Sequence, residues 1–364
     1  MLTDKAFAAK FKYTFTTSLC ILATALALIL SACSPIPLSA SPTPTPSNSQ
    51  QSGNFPIAAL QGYQVSLFAS STSSYSHPDA VDWDGNHIFI DYLNNTATDG
   101  TDHGTSTIVE YTIDGKVVKT FSVPGHSDGM RVDPSTHLLW AVSNEDANPT
   151  MVTIDPGSGS VTPYTFPPAP HGGGYDDLYF LNGMTFITAS NPTLNNNGVN
   201  VFPAIDKITL SGGQAVLTPV LMGNSTAVDT TSNTTITLNE TDPDSLSADT
   251  NGDLIMVNAG DADIVYLHNP GTAQQKVTYT QVGASIDDIV WVTSPQGRLL
   301  VVDRATGKTY WIRTPFNVGT VYTETYYNTG VTSVVGQLDP GTGNISPIAI
   351  GFTDPTSLLF VPLR

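Results

Sequence analysis

The chain has 364 residues, of which 31 are acidic and 13 are basic, giving a formal net charge of −18. A surface of this sign repels a phosphate backbone, so nucleic acid is excluded as a partner. The length is ample for a hydrophobic core that needs no disulfides.

The first 32 residues are typical of a bacterial secretion signal. Three lysines precede an apolar run over residues 19–30, which is too short to span a membrane as a mature helix. The tetrapeptide that follows, Leu-Ser-Ala-Cys ending at Cys33, resembles the bacterial lipobox. That resemblance implies cleavage before Cys33 and lipidation of its thiol and amine, and two or more acyl chains hold a protein on a bilayer. We therefore expect a lipoprotein of the cell envelope, anchored on the extracytoplasmic face of a bacterial membrane.

Residues 33–54 follow as a linker. The stretch contains five prolines and almost no large apolar side chains, so it is expected to be a solvated spacer. Of the two cysteines, Cys20 lies in the removed signal and Cys33 is lipidated, which leaves no disulfide. Residues 55–364 are predicted to form the folded domain, and we expect it to be a monomer.

A hairpin unit recurs through this domain at intervals of 43 to 69 residues. The second and fourth residues after each opening position are apolar, a period of two that predicts a strand. In the five full units a second apolar run follows, often across a turn such as Asn251-Gly252, which suits a tight hairpin. The opening positions are Asp79, Asp128, Asp176, Asp244, Asp287 and Thr356.

Units of about this length are typical of four-stranded propeller blades. The prediction is an all-β fold, a six-bladed β-propeller. In the unit that opens at Asp287, the first strand is predicted to pair with the apolar run that ends at Asp303. The sixth unit has only residues 356–362. Either the N-terminal run 62–69 supplies the missing edge, or residues 332–338, 345–350 and 356–362 form the last blade.

The first unit resembles an NHL repeat, as found in six-bladed propellers. The resemblance lies in His77-Pro78-Asp79-Ala80-Val81-Asp82 and in the runs 86–91, 108–111 and 114–121. Over residues 60–364 the pattern is also similar to SMP-30/gluconolactonase and TolB-like propellers. This implies the architecture but not the activity, because such scaffolds carry many functions.

Strand starts and the ends of their hairpin partners lie on one rim near the axis, which would bring several polar side chains together. Oxygen-rich groups of this kind favour Ca²⁺, and the nearby histidines leave a transition metal open. The predicted metal ligands are Asp79, Asp128, Asp176, Asp244 and Asp287. The predicted rim contacts to a ligand are Asn94, Asn144, Asn191, Asn258 and Asp303.

The resemblance to the SMP-30 class implies an axial metal that polarises a substrate oxygen, although that family has a Glu where this chain has Asp79. His77, His126 and His171 are then the candidates for proton transfer. Alternatively, the acids accept backbone N–H groups in turns between blades. Two functions stay open: a module that binds a small molecule or an envelope protein, or a metal-dependent lactonase-type hydrolase.

The four tryptophans divide into two groups by their surroundings. Trp83, Trp140 and Trp291 fall in apolar strand patterns and are predicted to lie in the core. Trp311 lies in a Tyr-rich insertion, so it is predicted to contact a ligand.

Overall fold

A computed structural model describes residues 56–325 and 333–363, and within these ranges the chain contains strands but no α-helix. No helix long and apolar enough to cross a membrane occurs in this part of the chain. The signal sequence, Cys33 and the linker lie outside the described residues.

The strands of the first half of the chain follow one another in short antiparallel runs. They are β1 (Ala58–Ala59), β2 (Gln64–Ser70), β3 (Pro78–Trp83), β4 (His87–Tyr92), β5 (Thr105–Thr112), β6 (Val117–Pro124), β7 (Met130–Val132), β8 (Leu139–Ser143), β9 (Thr150–Ile154), β10 (Val161–Thr165), β11 (Leu178–Leu181), β12 (Met184–Thr188), β13 (Pro203–Ser211) and β14 (Gln214–Met222).

The second half continues in the same way. Its strands are β15 (Thr226–Asp229), β16 (Thr235–Thr237), β17 (Pro243–Ala248), β18 (Leu254–Asn258), β19 (Asp263–His268), β20 (Lys276–Gln281), β21 (Ile286–Trp291), β22 (Gly297–Asp303), β23 (Lys308–Arg313), β24 (Val321–Thr325), β25 (Val334–Asp339), β26 (Asn344–Ile350) and β27 (Pro355–Pro362).

Six antiparallel blades surround one axis. Blades 1 to 4 are β3–β6, β7–β10, β11–β14 and β17–β20, and a single parallel pair between β10 and β14 joins blades 2 and 3 at their outer edges. The innermost strands β3, β7, β11, β17, β21 and β27 each contact the next, and β27 contacts β3. This closed ring confirms the predicted six-bladed propeller.

Both ends of the chain meet in blade 6. Its strand order is β27, β22, β23 and β2, so the C-terminal strand lies innermost and the N-terminal strand outermost. The register pairs Leu300 with Leu359 and Ser66 with Trp311. The prediction that the N-terminal run supplies the missing edge is confirmed, and the closure leaves no gap in the ring.

The predicted hairpin between Asp287 and Asp303 is wrong. Strand β21 pairs with β24, placing Val290 opposite Tyr322, while β22 pairs with β27 in the next blade. The alternative last blade is also wrong, because β25 and β26 belong to blade 5, whose strand order from the axis outward is β21, β24, β25, β26 and β1. Strand β24 is fully buried although its sequence, VYTET, is mostly polar, so no apolar pattern marked it as the true partner.

The polar strand β24 is stabilised by specific bonds. The Glu324 Oε1 accepts the Asp288 N–H at 2.6 Å, and the Thr323 hydroxyl donates to the Asp288 carbonyl at 2.8 Å. Hydrogen bonding of this kind offsets the cost of burying polar groups. Periodicity therefore identified β21, β22 and β27 but not β24, so β21 was given the wrong partner.

The core lies between adjacent blades. Between blades 1 and 2, Phe89 and Ile108 pack against Met130 and Leu139, all fully buried. Each such side chain contributes roughly 1.5–3 kcal/mol of burial energy. The blades thus hold one another in place and fix the positions of the residues at their inner ends.

Asp303 at the end of β22 binds the segment that leads from blade 5 into β27, so its substitution tests this topology. Its buried carboxylate accepts the N–H groups of Thr353 at 3.2 Å and Asp354 at 2.9 Å, just before β27 begins. We expect Asp303→Ala to lower the free energy of unfolding in urea by about 2–4 kcal/mol, because two N–H groups lose their acceptor.

The control is Asp339→Ala, which removes a similar acceptor of the Gly341 N–H in an exposed outer turn. Water replaces that acceptor, so its effect is expected to be much smaller. Equal effects of the two substitutions would contradict the assigned role of Asp303.

Candidate functional site

The innermost strands are irregular where the opening acids lie. The register shifts between Pro78 and Val81, between Pro243 and Leu246, and between Ile286 and Ile289. Such a bulge inserts an extra residue and redirects the local side chains. Two successive residues of one strand can therefore reach the axis.

A cavity of about 70 Å³, here called the axial mouth, lies where the innermost strands begin. It is lined by all five opening acids, Asp79, Asp128, Asp176, Asp244 and Asp287, together with Thr356 from the sixth unit. The structure therefore brings together the residues that the sequence analysis grouped as metal ligands, although the presence of a metal stays a prediction.

Four further charged residues line the axial mouth. They are Glu145, Asp177, Arg131 and Arg304. Seven carboxyl groups thus face two guanidinium groups. The space has a large excess of negative charge, which is unfavourable unless protons or cations reduce it.

Burial and mutual repulsion disfavour ionisation of these acids. Burial raises the pKa of Asp128 well above its ordinary value, and the charges of Glu145 and Asp79 raise it further. The pKa of Asp244 is raised in the same way by burial and by Asp287. The pKa values of Asp176 and Asp287 are also raised, mainly by burial.

Arg304 offsets part of this charge on one side of the mouth. Its Nη1 lies 3.4 Å from the Asp79 Oδ1, and its Nε donates to the Asp354 Oδ2 at 3.0 Å. The side chain is 36% exposed, so solvent screens the pair. Asp79 and Asp354 therefore share Arg304 as a cationic partner.

The most promising metal ligands lie around His126. Ligand atoms of His126, Asp128 and Glu145 all lie within 4.8 Å of one another. The His126 Nε2 is 3.2 Å from the Asp128 Oδ1, while the Asp128 Oδ2 is buried without a hydrogen-bond partner. A buried unpaired carboxylate oxygen is costly and is suited to binding a cation.

The tautomer of His126 follows from its other ring nitrogen. The Nδ1 lies 2.8 Å from the Thr96 carbonyl oxygen, so it carries a proton and donates there. The Nε2 is then free to accept a proton or to bind a metal. His126 is the one predicted histidine whose ring contacts an acid of the axial mouth in the described structure.

His126 lies beside the axial mouth and not in its wall, and neither His77 nor His171 lines the mouth. The His77 Nδ1 lies 3.1 Å from the Ser76 hydroxyl. The His171 Nε2 donates to the Gly174 carbonyl at 2.7 Å, and its ring packs edge-on against Tyr175. Burial lowers the pKa of His171. Their positions do not support the predicted role in proton transfer at the mouth.

None of the five predicted rim contacts lines the axial mouth. Their side chains instead bond within loops, and three of the asparagines adopt positive φ angles that favour this residue type. The bonds are Asn94 Oδ1 to the Ser76 N–H, Asn144 Oδ1 to the His126 N–H, Asn191 Nδ2 to Asp146, Asn258 Nδ2 to Glu240, and Asp303 to the N–H groups of Thr353 and Asp354. The geometry of these five residues therefore fits a structural role in turns and loops, which was the alternative to ligand contact.

Beneath the axial mouth, three aspartates join the blades in pairs. The Asp82 carboxylate accepts the Val132 N–H at 2.7 Å, from blade 1 to blade 2. Equivalent bonds follow around the ring. They run from the Leu246 N–H to Asp177 between blades 3 and 4, and from the Leu358 N–H to Asp288 between blades 5 and 6, both at 3.0 Å.

Arg131 lies among these three aspartates. Its Nη2 donates to the Asp177 Oδ2 at 2.5 Å and to the Leu246 carbonyl at 3.2 Å. Burial opposes the charge of the guanidinium, but the carboxylates of Asp177, Asp82 and Asp288 raise the pKa of Arg131. We call these four residues the Arg131 cluster.

The sequence analysis missed the Arg131 cluster and Glu145. Two signals were present: a second acid directly follows Asp176 and Asp287, and Arg131 is the one basic residue within the six innermost strands. Glu145 carried no such signal, because it lies in a loop after β8 and reaches the axial mouth only through the fold.

The tryptophans also differ from expectation. Trp311 is 3% exposed and packs edge-on against Phe68 at a ring separation of 5.1 Å, so the prediction that it contacts a ligand is wrong. The prediction that Trp291 lies in the core is confirmed, since it is 8% exposed and belongs to a buried cluster. Trp83 is only half-buried, and both side chains border a second cavity at the other end of the propeller axis.

The class that fold and site define is a six-bladed β-propeller with an acidic axial mouth. No protein-family model matches the chain, and no curated protein matches it.

Several solved propeller structures are similar in outline. A gluconolactonase from Xanthomonas campestris is 12% identical, with a TM-score of 0.46 and 82% of each chain covered. A streptogramin B lyase is 14% identical, with a TM-score of 0.45 and coverage of 84% of this chain and 89% of the lyase. Virginiamycin B lyase from Staphylococcus aureus is 12% identical, with a TM-score of 0.44 and coverage of 83% and 89%. Likeness at this level says nothing about activity, and the fold assignment rests on the closed ring itself.

The Arg131 cluster yields a stability prediction. We expect Arg131→Met to lower the free energy of unfolding by about 3–5 kcal/mol, because it leaves buried carboxylates without their cation. Chemical denaturation near neutral pH measures the effect.

Lys116→Met is the matched control, since Lys116 forms an exposed ion pair with Asp114 at 2.8 Å. Exposed pairs contribute little, so no measurable change is expected. An Arg131→Met protein as stable as the wild type would show that the cluster does not hold the blades together.

Proposed function

We propose that this protein is an extracytoplasmic binding module, lipid-anchored through Cys33, whose axial mouth holds a divalent cation of the Ca²⁺ type. The observation that carries the proposal is the convergence of seven carboxyl groups and two guanidinium groups on one small cavity. The unpaired, buried Asp128 Oδ2 indicates a place for a ligand atom.

The size of the axial mouth supports an ion over a larger ligand. A water molecule needs roughly 10–15 Å³ of such volume, so a cavity of about 70 Å³ holds a cation with a few waters. A sugar-sized molecule does not fit inside it and would have to lie above it. Carboxylates from separate blades form an adaptable oxygen cage, which suits the flexible coordination of Ca²⁺ better than the strict octahedron of Mg²⁺.

A bound cation would also create a local positive charge at the axial mouth of a strongly acidic protein. Its open coordination positions would accept oxygen atoms of a small molecule or of an envelope protein. The linker of residues 33–54 would hold the domain away from the membrane and keep the mouth accessible. These features together describe a tethered receptor domain.

Calcium titration of the purified protein tests this proposal. We expect saturable binding of one Ca²⁺ by calorimetry, with release of protons because the raised pKa values leave some acids protonated before binding. Thermal melts should shift upward by several degrees with Ca²⁺ and return with EDTA. Superimposable melts would refute the cation site.

Asp244→Asn provides a sharper test. It removes one charge from the crowded mouth, so the calcium-free protein should become more stable while Ca²⁺ affinity falls about tenfold or more. A merely structural acid would not give these opposite changes. Asp114→Asn, which removes an exposed charge in an outer turn of blade 1, should change neither quantity.

A second candidate function is a lactonase-type hydrolase, favoured by one contact. The His126 Nε2 lies 3.2 Å from the Asp128 Oδ1 at the edge of the mouth, where it could accept a proton from an attacking water. A metal would polarise the substrate oxygen.

A panel of sugar lactones and aryl esters separates the two functions. Turnover by the wild-type protein that His126→Gln abolishes, in a variant that still folds by circular dichroism, would establish the hydrolase. We expect no turnover by the wild-type protein, which is the result that the binding module predicts.

A further inference from the structure

The channel contains a second cavity that the cation site does not use. This basal cavity has a volume of about 370 Å³ and lies at the end of the channel opposite the axial mouth. All six blades contribute to its wall. Arg131 lines both cavities, so its side chain separates the mouth from the base.

Five aromatic side chains contribute to the wall of the basal cavity. They are Trp83, Tyr179, Phe180, Trp291 and Phe360. Trp83, Tyr179 and Phe180 are only half-buried, so part of their surface is available to a ligand. The volume lies in the range of about 300–1,000 Å³ that small-molecule sites occupy.

The inner end of the basal cavity carries a net negative charge. Asp82, Asp288 and Arg131 line it, and Arg131 is already paired with Asp177. Asp288 is also committed, since its two oxygens accept the N–H groups of Ile289 and Leu358. The guanidinium is therefore not available to bind an anion.

Asp82 is the acid whose carboxylate can accept further hydrogen bonds. It is half-buried, and its Oδ2 accepts the Val132 N–H. A carboxylate has about four lone-pair sites, so this bond leaves acceptor capacity beside the aromatic wall. Aromatic faces attract cations, most strongly at Trp, and the same faces bury an apolar body.

We propose that the basal cavity binds a small organic cation, an ammonium group carried on an apolar or aromatic body. The ammonium lies near Asp82 and the face of Trp83, and the body packs against the remaining aromatic and aliphatic wall, which includes the edge of Trp291. This site is separate from the axial mouth and does not depend on whether the mouth binds Ca²⁺.

Native tryptophans can report binding at this site through a change in their fluorescence. Trp83 and Trp291 line the basal cavity, whereas Trp140 and Trp311 do not. The full chain is titrated with benzyltrimethylammonium, with saturating Ca²⁺ present to occupy the mouth. We expect a saturable change in tryptophan fluorescence that disappears in the Trp83→Phe, Trp291→Phe double variant. Benzenesulfonate, which has the same ring and the opposite charge, should produce none.

Affinity in variants identifies the residues that bind the cation. Asp82→Asn keeps an oxygen acceptor for the Val132 N–H but removes the charge, so the dissociation constant for the ammonium should rise about tenfold. The matched control Asp114→Asn should leave it unchanged. If Asp82→Asn does not fold, Trp291→Phe alone should still weaken binding, measured by calorimetry.

Several results would overturn the proposal. They are the absence of saturable binding, equal binding of benzenesulfonate, equal effects of Asp82→Asn and Asp114→Asn, or loss of binding in Asp244→Asn. The last result would place the ammonium in the axial mouth instead of the basal cavity.

Discussion

The rest of the structure depends on the repulsion among carboxyl groups that the propeller gathers at its axis. Each innermost strand begins at the same end of the ring, so successive opening acids that are 43 to 68 residues apart in sequence become neighbours. Burial makes each charge costly, and proximity makes several charges costlier still. Protonation of the acids, neighbouring arginines and a bound cation each reduce this cost, and the axial mouth is arranged so that all three can act.

The channel is organised by charge along its length. The axial mouth is small and lined with oxygen atoms, whereas the basal cavity is larger and lined with aromatic rings. Arg131 separates them and neutralises part of the charge at their boundary. The three aspartates around it accept N–H groups from the neighbouring blades, so the same residues that shape the channel also join the blades in pairs.

The sequence predicted what periodicity and spacing can encode. The period of two identified the innermost strands, the repeat length indicated blades, and the opening acids were correctly placed near one another. Strand partners were harder to predict, because β24 is buried by hydrogen bonds of Thr323 and Glu324 and not by an apolar pattern. Glu145 could not be predicted either, because its position depends on a loop.

Residue type alone also misassigned some roles. Asparagines at strand ends resembled ligand contacts, yet three of the four adopt positive φ angles, and their side chains bond within the protein, as Asn144 does to the His126 N–H. Trp83 lies in an apolar strand pattern that resembled core, yet it is only half-buried and lines the basal cavity. Such assignments require the three-dimensional arrangement.

The central claim is tested most directly by the free energy of unfolding as a function of pH, with a chelator present. Folded carboxyls of raised pKa keep protons that the unfolded chain releases near pH 4, so the folded state binds more protons and stability falls as pH rises. The fall begins above pH 4, because burial raises the pKa values of Asp128, Asp176, Asp244 and Asp287 well above their ordinary value. The account predicts a fall of about 3 kcal/mol between pH 5 and pH 8, largely removed by Ca²⁺. A flat or rising profile in chelator would contradict it.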